Sequence, residues 1–103
     1  MAASKEYMAY ILDQLSELEE ITSRPMMGEY VLYYRGRVFG GVYDDRLLFK
    51  PVHIAQDMLP DAAWECPYLG AKEMLLVDPE DRERLCAVVR AMYDELPAPK
   101  RRK

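Results

Sequence analysis

The side chains that could do covalent or acid–base chemistry are few in this 103-residue chain. There is one histidine, His53, and there are two cysteines, Cys66 and Cys86. A Cys66–His53 pair would make a nucleophile and its base only with a third group to orient the imidazole, and no such group is visible in the sequence. Neither an H-E-x-x-H pattern nor a His/Cys cluster is present, which argues against a zinc site. The cysteines fall outside any C-x-x-C arrangement, so Cys86 is expected as a small core residue and Cys66 as a thiol in a loop. Ser4, Ser16 and Ser23 crowd the N-terminus without the strand-to-helix context of a nucleophile elbow. Asp44 and Asp45 are adjacent in a turn and point apart, so the turn itself explains them better than a catalytic carboxylate pair does. Gly40–Gly41 lacks the Lys-Ser/Thr of a phosphate loop. A bulge, or the close approach of another backbone, is the expected reason for these two glycines. The residues therefore predict a chain that is not an enzyme, with no catalytic residue, no metal and no cofactor.

What remains are residues suited to contact. Met26 and Met27 sit at the mouth of a run of strands, where thioethers either fill the core or adapt to a partner. Tyr33 lies on the second face of a strand that is apolar on both sides. Trp64 and Tyr68 fall in an irregular segment, 60–70, which is either a lid pinned over the core or a contact surface. The tendency of tryptophan to bury its ring favours pinning. Lys100, Arg101, Arg102 and Lys103 form a basic terminus that either touches nucleic acid or keeps the chain soluble.

These residues are positioned by the segment MMGEYVLYYRGRVFGGVYDDRLLFK. It predicts strands over 29–34, 37–43 and 46–50, rich in Tyr, Val, Leu and Phe and joined by turns at Arg35–Gly36 and Asp44–Asp45. A short strand over 21–24 is expected to precede them and to end at Pro25. Ser4 is the expected N-cap of a first helix with an apolar stripe of Tyr7, Met8, Ile11, Leu12, Leu15 and Leu18. Pro51 is expected to open a short helix bearing Ile54, Ala55, Met58 and Leu59 inward. A strand over 72–77 follows. A last helix is expected to start at Asp78–Pro79 and run to about Leu96, with Leu85, Val88, Val89, Met92 and Leu96 inward. The fold class is α+β: one domain over 1–97, with a mostly antiparallel sheet made of a β-meander plus a further strand. Helices stand at both ends of the sequence, with a short one between strands. A disordered basic tail is expected over 98–103.

Net charge is −4. The tail carries +4 of it, so the remaining chain stands at −8 and should repel a phosphate backbone. The longest apolar runs fall well short of a membrane span. The N-terminus lacks the basic and apolar regions of a secretory signal, which points to the cytoplasm.

In the order of its words, the run MMGEYVLYYRGRVFGGVYDDRLLFKP with the later YLGAKEMLLVDP resembles the N-terminal domain of the TfoX/Sxy family of bacterial competence regulators. The likeness extends from about residue 7 to about residue 96. It implies an accessory regulator connected to transcriptional control and working through protein–protein contacts, with an unidentified protein partner. It brings no catalytic residues. Family members carry a second, helical C-terminal domain, which this chain is expected to lack. Two further readings stand beside this one. One is a small-molecule-binding module with a cavity between sheet and helices, floored by Gly40 and Gly41, or a homodimeric structural module. The other is a weak nucleic-acid binder acting through the tail.

Overall fold

The computed structural model describes residues 3–97, so the basic tail and its four cationic side chains lie outside the described residues. Helix α1 (Lys5–Gln14) leads into four consecutive strands, β1 (Ile21–Met26), β2 (Glu29–Tyr34), β3 (Arg37–Val42) and β4 (Leu47–Phe49). Helix α2 (His53–Met58) follows, then β5 (Trp64–Glu65), β6 (Met74–Leu76) and helix α3 (Arg82–Met92), which ends in a 3₁₀ turn over Tyr93–Glu95. All strands join one sheet in the order β1-β2-β3-β4-β6-β5, and every pairing is antiparallel.

The meander is built by three tight turns. Met27–Gly28, Arg35–Gly36 and Asp44–Asp45 each place both central residues at positive φ, between 52° and 86°. That is the signature of type I′ turns, whose twist matches that of the strands they join. The Asp44–Asp45 turn does more than reverse the chain. Asp44 N–H donates to Glu29 Oε1 at 2.9 Å, and Asp45 Oδ1 accepts from Ser4 N–H at 2.7 Å. Ser4 in turn caps α1, its Oγ accepting from Tyr7 N–H at 3.1 Å. The start of the first helix is thereby fixed to the sheet.

Strand β2 sorts the two faces. Leu32 and Tyr34 are buried toward the helices, with Tyr30 packed against the same core. Glu29, Val31 and Tyr33 project from the other face, as period-two alternation requires. The core lies between the first face and the helices, and includes Ile11, Leu15, Phe39, Phe49, Leu75, Leu85, Val88 and Met92. Phe39 reaches it through a bulge. Leu32 pairs with Gly40 and Tyr33 with Val38, leaving Phe39 as an extra residue in the ladder. Its ring then meets Phe49 edge-on at 5.4 Å. Gly40 and Gly41 are explained by close approach, as the sequence suggests. A β-carbon on Gly40 would collide with the Leu48 carbonyl oxygen, and one on Gly41 would lie 2.6 Å from the Tyr43 ring.

Several boundaries differ from those the sequence suggests. Strand β1 runs through Pro25 rather than ending there, because β1 is an edge strand and Pro25 pairs opposite Tyr30. Within 60–70 a short strand, β5, joins the sheet beyond β6, so two strands rather than one extend the meander. Helix α3 begins at Arg82, after an N-cap at Asp81 whose carboxylate accepts from Arg84 N–H at 3.1 Å. Asp78 instead closes a preceding turn on Glu80 N–H at 3.0 Å. The carbonyls of Pro79 and Glu80 are occupied by Gln14 Nε2, at 2.7 and 3.4 Å, and so serve the α1–α3 junction. Leu12, expected in the stripe, is exposed. Helix α2 starts two residues after Pro51, and the Glu95 carboxylate accepts from its Ile54 N–H at 2.9 Å.

Candidate functional site

Helices cover one face of the sheet. The other face carries a central aromatic cover and a half-buried margin. Leu48 projects to this second face opposite Gly41 and is fully buried there. Beside it the Tyr43 ring lies over Gly41 and meets the Tyr68 ring at 6.3 Å. Burial, with Tyr68, Glu29 and Tyr33 nearby, pushes the Tyr43 phenol above its ordinary range, so it stays a protonated donor at neutral pH.

The loop bearing Tyr68 is held by Arg46. Its guanidinium donates to Glu65 Oε1 at 2.6 Å, to the Cys66 carbonyl at 3.4 Å and to the Pro67 carbonyl at 3.3 Å. With three acceptors in the loop and a fourth at the Tyr43 carbonyl, 3.1 Å from Nε, one planar fork fixes where the loop crosses the sheet. Tyr68 and Leu69 are left outward, at 56% and 102% exposure.

The contact residues suggested by the sequence divide between places. Met26 and Tyr33 lie on the open face, since Met26 pairs with Glu29 and Tyr33 with Thr22. Arg24, on the same face, sits over the Tyr33 ring at 5.9 Å. Met27 is the tip of the first hairpin, 97% exposed with a φ of 54°. Tyr68 stands on the open face. Trp64 does not join them. It pairs opposite Leu75, whose side chain is in the helix-side core, so it lies at the far edge of the covered face. At 46% exposure it is not the buried pin of a lid. The loop that does reach over the sheet is fastened by Arg46 and contributes Pro67 and Tyr68.

Tyr43, Arg46 and Leu69 were not singled out by sequence reasoning. Leu69 carried a signal, an apolar residue between Tyr68 and Gly70 in a stretch with no strand period. Tyr43 and Arg46 carried none, because their roles depend on partners far along the chain.

His53 and Cys66 are both exposed. Cys86 is buried on α3, where burial, aided by Glu17, pushes its thiol up. Among the described residues no group of three or more His, Cys, Asp or Glu is placed to hold a metal ion. No described helix is long and apolar enough to cross a membrane.

The family model of the TfoX N-terminal domain matches residues 13–95, which span the meander, the fastened loop and all of α3. This chain belongs to that family. Family membership links the TfoX-type domain to competence regulation in general terms. Among the curated proteins, the chain is 33% identical over 105 residues to an uncharacterized 12.7 kDa protein in the trpE 5′ region of Spirochaeta aurantia, covering 100% of this chain and 91% of the other. No solved structure matches.

Proposed function

We propose that this TfoX-type chain is a non-catalytic regulatory protein, tied to transcriptional control, that acts by holding a protein partner against the open face of its sheet. The observation that carries this reading is the set of large apolar side chains left outward on that face and its margins. Met26, Met27, Tyr68 and Leu69 are all exposed, although the chain buries comparable residues elsewhere. Aromatic and thioether side chains at a surface are the groups most enriched at protein contacts. The rigid backing matters equally. Tyr33 and Met26 stand on paired strands, and Tyr68 on a loop fastened by Arg46, so a partner meets a preformed surface.

The test is affinity capture from native cytoplasm, nuclease-treated, at roughly 0.1 M and 0.5 M salt, on either side of the regime where exposed charges are screened. A protein partner held by apolar contact is retained at both salt levels, and is lost when Tyr33→Asp or Tyr68→Ala is used as bait. Capture that disappears with nuclease or with salt, or that ignores both substitutions, would sink the proposal.

A further inference from the structure

A cleft of about 550 Å³ opens on the same face, next to the aromatic cover. Its size lies within the range of roughly 300–1,000 Å³ typical of small-molecule sites. Its walls are mostly apolar: Val31 and Val38 from the meander, Met74 from β6, and Pro67 and Tyr68 from the fastened loop. Gly40 contributes bare backbone to the lining.

Two sets of polar groups in this cleft lack partners. Tyr43 lines it and is only 6% exposed, yet its hydroxyl has no hydrogen-bond partner among the described residues. The hydroxyl lies over Gly41, where a β-carbon would come within 2.7 Å of it. Among the described residues the only fully buried side-chain polar atom without a partner is Arg37 Nε, so the Tyr43 hydroxyl keeps access to the cleft and is free to donate to what enters it. Lys50 and Lys72 also line the cleft, and neither ammonium is within ion-pair distance of a carboxylate among the described residues. Glu73 lines it too, leaving one positive charge in excess.

The other large cleft, about 600 Å³ between the 59–63 segment and the start of α3, is different. There Asp78, Asp81 and Arg84 are already engaged, by Glu80 N–H, Arg84 N–H and the Met58 carbonyl. Three of its four charged side chains serve the fold, and the fourth, Asp61, is exposed.

We propose that the cleft of the open face binds a small amphipathic carboxylate, an aromatic or branched apolar body carrying one anionic group. The body packs against Val31, Val38, Met74 and the Tyr68 ring. The carboxylate takes the ammonium groups of Lys50 and Lys72 and the Tyr43 hydroxyl as donors. Charge-assisted contacts of this kind are the stronger class of hydrogen bond. The site lies on the face assigned to a protein partner and shares Tyr68 with it, but its occupancy does not depend on that partner.

The experiment titrates the full chain with 2-naphthoate and, separately, with its neutral counterpart 2-naphthamide, followed by backbone-amide and methionine-methyl NMR. Saturable shifts centred on Val31, Val38 and Met74 are expected, with the carboxylate binding about tenfold more tightly than the amide, as one lost charge-assisted contact implies. The double variant Lys50→Gln/Lys72→Gln should remove that preference and leave amide binding unchanged. Tyr43→Phe should weaken the carboxylate. Should that variant unfold, the lysine pair carries the test, since Lys72 is exposed and Lys50 only half-buried. Absence of saturable shifts, equal affinity for carboxylate and amide, shifts confined to the cleft at Asp78 and Asp81, or an unchanged preference in the lysine variant would each overturn the assignment. Capture of a protein partner is a separate readout, so failure here leaves the partner reading standing, and the reverse also holds.

Discussion

A β-carbon has no room at Gly40, because the Leu48 carbonyl and the Phe49 Cα of the neighbouring strand already occupy the space. Neither obstacle is the end of a flexible side chain, so the sheet itself must shift. Gly40→Ala is expected to cost at least about 2 kcal/mol, within the range for overpacking a rigid site. Gly70 is a useful contrast. A β-carbon there meets nothing within 4 Å, and only its φ of +89° opposes substitution, so Gly70→Ala should cost about 1 kcal/mol. Urea unfolding of both variants checks the order, and equal losses would refute the close-approach account. The two thiols should likewise separate. Exposed Cys66 reacts with a thiol reagent in the folded protein, whereas Cys86 reacts only on unfolding. The pH dependence follows from groups that burial raises, Cys86 above the usual thiol range and Tyr43 above the usual phenol range, with Tyr7 raised in the same sense. All are neutral when protonated, and the folded state holds the proton more tightly than the unfolded state does. Their burial therefore costs nothing below about pH 8, and stability falls as pH rises through the unfolded values toward the folded ones. Denaturant midpoints measured between about pH 7 and pH 11 should decline for the wild type. The decline should be smaller for Cys86→Ala/Tyr43→Phe.

Among the elements, β1 is the longer of the sheet's two edge strands, six residues against two for β5, and so the one with more backbone to offer a second strand. The type I′ turn at Met27–Gly28 makes Met26 and Glu29 a hydrogen-bonded pair. Alternating along the strand, Glu20 and Arg35 should be one as well, and Arg35 N–H does donate to the Glu20 carbonyl at 3.0 Å. Counting in the same way, Ile21, Ser23 and Pro25 turn their backbone outward. Pro25 stands at an outward position and has no N–H to give, so the free edge offers a donor fewer. Pro25→Val should leave the β1–β2 ladder intact while promoting edge-to-edge association, visible as a sedimentation coefficient that rises with concentration. No change would mean that the edge is protected by something else. Arg46 is the corresponding device at the other end of the sheet. Arg46→Ala removes every hydrogen bond that fastens 65–67 to the meander. It should raise amide exchange in that loop by much more than in α3.

For the molecule as a whole, the open question is what meets the second face. An antiparallel sheet can present one face to water, but that face is then usually polar. Here Tyr43 and the fastened loop cover Leu48, while Met26, Tyr33 and Tyr68 remain at the surface. A homodimer through this face is one expected arrangement, because a self-complementary patch closes on itself. Sedimentation at micromolar concentration should show a dimer that Tyr33→Asp splits. A 12.0 kDa species independent of concentration would favour a different occupant. Trp64 lies at the edge of the other face, so Trp64→Ala should leave such a dimer intact. Nucleic acid is a poor candidate for the body of the protein, which stands at −8 without its tail. Any affinity for DNA or RNA should vanish when Lys100, Arg101, Arg102 and Lys103 are deleted. Binding that survives with a steep salt slope would point to an arginine surface on the body.

The sequence by itself determined the features that arise between near neighbours. Alternation set the two faces of β2, Ser4 set the start of α1, and Arg35–Gly36 and Asp44–Asp45 set two of the turns, because each depends on φ, side-chain reach or period within a few residues. The tertiary structure alone decided what required distant partners. Gln14 occupies the Pro79 and Glu80 carbonyls and so moves the start of α3 to Arg82. Pairing with β6 makes a strand of Trp64–Glu65 and sends the indole to the far edge rather than over the core. Arg46 gathers the carbonyls of a loop about twenty residues away. Tyr43, an ordinary strand-end tyrosine in the sequence, becomes a covered donor at a cleft only because the loop carrying Tyr68 returns to meet its ring. Contacts of that separation are selected by the packing of the whole chain, and no local pattern encodes them.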